Sequence, residues 1–200
     1  MDFLQKIDAL EALYGDPLAT SLKKVADHLT PLYTKWIMAS RFCVLSTVGP
    51  NGTDGSPRGD DQPVVRIADN KTLLMPDWRG NNRLDSLRNI ICDGRVSLMF
   101  MVSGSSTVVR INALAKLTND KGLQASFERK GRQPAIVIVI KIDEVYTQCS
   151  KAIIRADLWN GDQSNNLPIA GDILAELSSD EEGGPEYDNG WLERSAKPMW

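Results

Sequence analysis

The apolar positions of this chain change their period twice. Leu4, Ile7, Leu10 and Leu13 recur at helical spacing. After the Gly15-Asp16-Pro17 break, Leu18, Leu22, Val25 and Leu29 predict a second helix that ends before Pro31, and Leu32–Ala39 reads as a short third. The texture then turns to β. Phe42–Val48 is a strand, and the stretch from Gly49 to Pro57 reads as one long turn. Pro63–Ala68 and Thr72–Met75, joined by Asp69-Asn70, predict a hairpin. Arg83–Cys92 is helical by the spacing of Leu84, Leu87, Ile90 and Ile91. Val96–Val102 and Thr107–Leu117 are strands on either side of Ser103-Gly-Ser-Ser106. Asn119–Lys130 reads as a helix, Ala135–Tyr146 as a long apolar strand, and Lys151–Trp159 as an amphipathic helical segment.

Strands joined mostly by turns too short for parallel crossovers predict a mainly β fold, an antiparallel barrel with flanking helices, preceded by an N-terminal helical segment, residues 1–40. Residues 1–177 read as a single domain. Residues 178–200 read as an acidic, loop-like C-terminal tail, a connector leading to Trp191–Trp200.

Composition narrows the function. A formal charge of −3 argues against a general nucleic-acid or membrane-surface role. No apolar run reaches the length of a membrane span; the longest, Ala135–Ile140, is broken by Lys141. The N-terminal stretch carries acids and lacks a basic-then-apolar secretory layout, so a cytoplasmic location is expected. Cys43, Cys92 and Cys149 are far apart and odd in number. They fit reduced thiols better than a disulfide frame or a zinc site, and no metal is expected. His28 is the only histidine and sits in the N-terminal helical region, which leaves little room for zinc hydrolase or Ser-His chemistry.

The most informative stretch is Thr72 to Asp93. An apolar run stops at Pro76, a polar turn follows from Asp77 through Asn82, and an amphipathic helix opens at Arg83. A helix N-terminus presents unpaired N–H groups and partial positive charge, which favours a phosphate. Asn82 is a suitable N-cap, and Arg79 and Arg83 add guanidinium groups able to fork onto phosphate oxygens.

Three blocks in this order resemble the pyridoxamine 5'-phosphate oxidase-like flavoproteins, the FMN-binding split barrels. The first is Phe42-Cys-Val-Leu-Ser-Thr47 followed by Asp54-Gly-Ser-Pro-Arg-Gly-Asp60. The second is Thr72 through Arg83 with the helix after it. The third is Thr107 through Ala115, followed by Cys149 through Trp159. The resemblance spans roughly Phe42 to Trp159. It is to a less-studied branch, not to the vitamin B6 enzyme itself.

The resemblance implies an antiparallel split barrel, a homodimer with one FMN per subunit near the interface, and hydride or electron transfer between a small reduced donor and an acceptor such as oxygen. It places the family's phosphate-binding basic residue at Arg83 and the neighbouring hydroxyl position at Asn81, whose amide still donates. It sets Pro76 and Asp77 beside the isoalloxazine ring, and Arg58, Gly59 and Asp60 near its edge. Val108 stands where the family usually has a glutamine, and the family's C-terminal substrate-phosphate block has no counterpart, which argues against pyridoxamine phosphate as the substrate.

Two further features stay open on the residues alone. Arg110, between Val109 and Ile111, either points outward or meets an anion. Lys151, Arg155 and Trp159 share a face if the segment is one helix; that face either lines an anionic ligand or is a solvated basic stripe, and the resemblance brings it toward the cofactor. No residue announces itself as a general acid or base. The alternatives are a flavin-binding or redox-sensing protein without turnover, or a relative that holds haem or a deazaflavin. His28, outside the barrel, weakens a histidine-ligated haem.

Overall fold

Helical periodicity at the N-terminus yields only short helices. The computed structural model describes residues 1–179 and 181–190; Trp191–Trp200 lie outside the described residues. α1 (Ile7–Glu11) and α2 (Ala19–Lys23) bury none of their side chains. The second helix does not run on to Leu29. Ala26 instead exchanges backbone hydrogen bonds of 3.0 and 2.8 Å with Val145. The physical reason lies in the sheet, where the strand next to Val145 has already ended and left open backbone groups that Ala26 satisfies. α3 (Pro31–Ile37) starts as its sequence dictates. Pro31 occupies the first turn, where no N–H is needed, and Thr30 Oγ1 accepts from the Tyr33 N–H at 3.4 Å.

Seven strands follow, all paired antiparallel: β1 (Phe42–Gly49), β2 (Gly52–Gly59), β3 (Arg66–Asp69), β4 (Thr72–Asp77), β5 (Arg95–Met101), β6 (Val108–Thr118) and β7 (Ile136–Gln148), in the spatial order β2-β1-β5-β6-β7-β4-β3. β3 and β4 form the expected hairpin. β2 corrects the expectation of a long turn between Gly49 and Pro57. Only Pro50 and Asn51 turn, and β2 pairs with β1 along its whole length, from Gly49↔Gly52 to Phe42↔Gly59. The glycines and Pro57 are tolerated because β2 is the end strand of the sheet. Pro76 likewise does not stop β4. It pairs with Val137 of β7, and β3 does not extend along β4 that far, so no partner asks for the missing N–H.

Alternate residues of the strands point into one core. Leu45, Leu98, Phe100, Val109, Ile111, Ile138 and Ile140 are fully buried, together with Leu73 and Met75 from near the other end of the sheet. One core fed by both halves of a single sheet requires the sheet to curl, and its two end strands, β2 and β3, are not paired with each other. The result is an antiparallel barrel split along one seam. α4 (Asp85–Cys92) caps it from outside, turning Leu87 and Ile90 inward and leaving Ile91 exposed.

α5 (Lys121–Ser126) is capped by Asp120, which accepts from the Leu123 N–H at 2.7 Å. It ends four residues before the Lys130 expected from the sequence. Arg129 and Arg132 instead close a two-residue turn through reciprocal 2.8 Å bonds, with φ of 48° at Lys130 and 75° at Gly131. α6 (Lys151–Arg155) is also shorter than expected. α7 (Ala170–Leu177) and α8 (Pro185–Asn189) pack on each other, so the start of the presumed loop-like tail contains a helical turn. Among the described residues, no helix is long and apolar enough to cross a membrane.

Candidate functional site

The split seam is also where the cleft lies. β2, the loop after it, the end of β4, the loop into α4 and the segment before β7 enclose a space of about 1370 Å³. Nine of the residues singled out in the sequence line it: Arg58, Gly59, Asp60, Pro76, Asp77, Arg79, Asn81, Asn82 and Arg83.

One end of the cleft is the entrance to α4. The local geometry corrects the expected cap. The helix begins at Asp85, with Leu84 before it and no side-chain cap. Asn82 has φ 60°, a left-handed conformation that asparagine tolerates, so it supplies the turn rather than the cap. Asn81 Oδ1 accepts from the Arg83 N–H at 3.0 Å, which leaves the Asn81 amide N–H groups as donors. Arg83 Nε donates to Asp85 Oδ2 at 2.6 Å while its side chain stays 80% exposed. Arg79 has no such carboxylate among the described residues.

The other end is more enclosed. Arg58 Nη1 donates to Asp77 Oδ1 at 2.5 Å, and both side chains are largely buried. Among the described residues, Arg58 Nε is buried with no hydrogen-bond partner. An N–H in that position costs about 1–3 kcal/mol unless an acceptor reaches it. Pro76, Val64, Ile136 and Trp78 supply apolar surface along the same cleft. The Trp78 indole Nε1 donates to Asp60 Oδ2 at 3.3 Å. Burial pushes the Asp60 carboxyl above its ordinary range, opposed by the Gln62 N–H and Arg129.

Sequence reasoning missed five contributors. Asp54 accepts a short hydrogen bond from Ser86 Oγ and thereby ties β2 to the first turn of α4. Arg132 and Gln133 line the cleft from the turn after α5, and Arg129 of that turn pairs with Asp60 and Asp61. The only signal for the turn is Lys130-Gly131, hidden at the end of a helix-like pattern.

The remaining candidates lie elsewhere in this chain. Arg110 sits on the outer face of β6, its guanidinium 5.5 Å from the Tyr146 ring and 3.5 Å from Gln148 Oε1. Lys151 and Arg155 are exposed on α6. The three-residue stripe does not form, because the helix ends at Arg155 and Asp157 has φ 47°. Trp159 instead donates from Nε1 to the Ser105 carbonyl at 2.7 Å, docking on the β5–β6 turn. None of these four lines the cleft. The core thiol is chemically quiet: burial pushes Cys43 up to about 12.

The family profile of pyridoxamine 5'-phosphate oxidase matches residues 29–149. No curated protein matches the chain. Among solved structures, HupZ of Group A Streptococcus is 17% identical with a TM-score of 0.49, over 60% of this chain and 93% of that one. A Lactobacillus delbrueckii protein regarded as a candidate pyridoxamine 5'-phosphate oxidase is 22% identical with a TM-score of 0.48, over 60% and 95%. An FMN-binding protein of Syntrophomonas wolfei is 12% identical with a TM-score of 0.46, over 71% and 92%.

Proposed function

The chain belongs to the pyridoxamine 5'-phosphate oxidase family, and we propose that it is an FMN-dependent oxidoreductase whose flavin lies in the seam cleft and whose substrate is a small molecule. The observation that carries this reading is the arrangement of the cleft. Its α4 end offers Arg79, Arg83, the Asn81 amide and the first N–H groups of a helix, a donor set suited to a phosphate. Its other end offers apolar wall and the unsatisfied Arg58 Nε–H, suited to the polar edge of a flat ring. The space exceeds the roughly 300–1,000 Å³ of ordinary small-molecule pockets, which supports a cofactor and a substrate side by side.

FMN, when bound, supplies the hydride or electron transfer. The protein's part is to bind and orient. Arg79 and Arg83 hold the phosphate end, with Arg83 shared with Asp85. Arg58, fixed by Asp77, donates to the ring edge and contributes positive charge there. Trp78 and Pro76 flank the ring and exclude water from it.

The homodimer is part of the proposal. The outer face of the barrel aligns Val44, Met99, Arg110 and Tyr146 in one row across four strands, with Phe42 and Met101 beside it. Phe42 and Leu114 are exposed there. A second copy seated on this face would cover that apolar surface and bring Arg110, Lys151, Arg155 and Trp159 toward a neighbouring cleft. Cys92 and Cys149 are exposed, unbonded thiols, which supports a reducing, cytoplasmic location.

One observation favours a second reading, a flavin-holding or redox-sensing protein without turnover. The described carboxylates of the cleft are engaged with Arg58, Arg83, Arg129 or Ser86, so none stands ready as an acid or base. The absorbance spectrum of the purified protein tests the cofactor, and a spectrum without flavin bands after incubation with FMN would end the proposal. Oxidation of added NADH or NADPH by the loaded protein then separates enzyme from holder.

A further inference from the structure

Residues 1–20 are exposed throughout. They are nonetheless rich in large apolar side chains: Phe3, Leu4, Ile7, Leu10, Leu13 and Tyr14 are between 45% and 80% exposed. Together they present apolar surface comparable with the roughly 800 Å² that one partner contributes to a stable protein interface. Helices as short as α1 and α2 do not hold alone in water, because too few hydrogen bonds offset the dihedrals that must be fixed. The segment is built to be covered, and nothing among the described residues covers it.

The chain becomes fixed abruptly after it. The Tyr33 hydroxyl donates to the Lys24 carbonyl at 2.6 Å, and Ala26 is bonded to Val145 on β7. Val145 adjoins Tyr146, a member of the outer-face row. The arm is thus tethered at the margin of the face on which a second copy would sit. That face carries an exposed leucine of its own. Leu114 is half exposed, its partners in register are Arg95 and Lys141, and Lys116 follows two residues on. Arg95 is shared with Asp93, and Lys141 lies 3.9 Å from Asp69. The patch is a leucine ringed by cations. The arm is its complement. Ile7 and Leu10 stand next to Asp8 and Glu11, and up to Pro17 four acids face a single basic side chain, Lys6.

We propose that residues 1–23 are an exchanged arm: each copy of the chain lays the arm's apolar side on the outer barrel face of the other, about Leu114. A two-fold dimer makes the exchange reciprocal, so both arms are covered at once. A lipid surface is a poorer match, since helices that lie on membranes are rich in Lys and Arg and this arm is acidic. The inference rests on the homodimer proposed above and not on the flavin.

The test uses the full-length protein, with and without FMN. Isotope-labelled and unlabelled wild type are mixed, left to exchange subunits and treated with a lysine-reactive cross-linker. Lys6 should join Lys116 or Lys141 in peptide pairs of mixed isotope, which only contact between copies yields. In sedimentation equilibrium, the variant carrying Leu10→Glu and Leu13→Glu should raise the dimer dissociation constant about a hundredfold, two leucines at the lower end of their burial value. Its β-sheet circular dichroism should match wild type, since both positions are exposed within the chain. A wild-type dimer whose Lys6 cross-links stay within one isotope overturns the arm exchange and leaves the homodimer standing. So does a double variant that dimerises as tightly as wild type. A wild type that stays monomeric overturns both, while its spectrum with FMN still judges the cofactor. Vesicles of phosphatidylcholine and phosphatidylserine that bind wild type but not the double variant would assign the arm to a lipid surface and overturn the proposal. If the double variant does not fold, the wild-type cross-links decide.

Discussion

Arg58 and Asp77 meet at 2.5 Å although they stand on the first and the sixth strand of a seven-strand sheet. No run of hydrogen-bonded neighbours joins them across the seam. Their ion pair is a direct lateral tie between the two flanks of the barrel. Both side chains are more than four-fifths buried, so solvent screening is weak.

Removing one partner should therefore cost more than removing both. Asp77→Ala removes the described partner of the buried Arg58, whose Nε has no acceptor among the described residues, and should destabilise the protein by about 3 kcal/mol. The double variant Arg58→Met with Asp77→Leu should recover part of that loss. Urea unfolding of the three proteins checks it; equal midpoints for wild type and Asp77→Ala would show that the pair is not a structural tie.

FMN should bind more tightly than riboflavin, because a large part of the proposed site addresses phosphate. A charged hydrogen bond contributes about 1.5–3 kcal/mol. Arg79→Ala should weaken FMN more than Arg83→Ala, since Arg83 must share its guanidinium with Asp85 whereas Arg79 has no described carboxylate to leave. Neither change should alter riboflavin affinity much. Equal affinity of the wild type for the two flavins would contradict the phosphate assignment.

Sedimentation should show a dimer whenever flavin is bound. Leu114→Glu or Met99→Lys, placed on the outer face away from the cleft lining, should yield monomers with reduced FMN affinity and an intact barrel. A flavin-loaded monomer at micromolar concentration would refute the shared site.

Asp60 carries a pH signature of definite sign. Its folded-state carboxyl is raised by burial, so the folded protein holds that proton more tightly than the unfolded chain does. Stability from this group is therefore greatest below the ordinary carboxylate value and declines as pH rises through the raised one. Asp60→Asn cannot titrate. Its stability relative to wild type should increase from acid to neutral pH, measured by denaturant unfolding across that range. A constant difference would mean that Asp60 ionises normally.

The C-terminal helical pair should be separable from the barrel. Gly171 is so close to Asp188 and to the Gly184 carbonyl that an added Cβ has no room, and its N–H bonds Asp188 Oδ2 at 2.6 Å. Gly171→Ala should part α7 from α8 and speed proteolysis there while leaving the flavin spectrum intact. Loss of FMN from this variant would make the pair part of the site.

Much of the barrel is legible in the sequence because β1, β5, β6 and β7 alternate or bury both faces over long runs, a signal that survives without context. β2 is not legible. Its Gly, Pro and Asp content looks like a turn, and only its place at the end of the sheet makes those residues acceptable as strand. The Lys151–Trp159 stripe fails for the opposite reason: the local period is helical, but Asp157 turns the chain and Ser105 captures the tryptophan. In the cleft, the residues from Arg58 to Arg83 are readable because they cluster in two short stretches. Arg129 and Arg132 are not, since only the closed turn brings them across more than forty residues of chain to the seam.

The unpaired margins of the sheet have one more consequence, for behaviour in a crowded solution. A barrel left open along a seam offers two rows of free N–H and C=O groups, the ready template for strand-by-strand growth into fibrils. This chain keeps one row short, since β3 has four residues. It interrupts the other with Pro57 and with the charges of Asp54 and Arg58. The same residues that make β2 unrecognisable as a strand thus keep the open edge from recruiting another copy edge to edge.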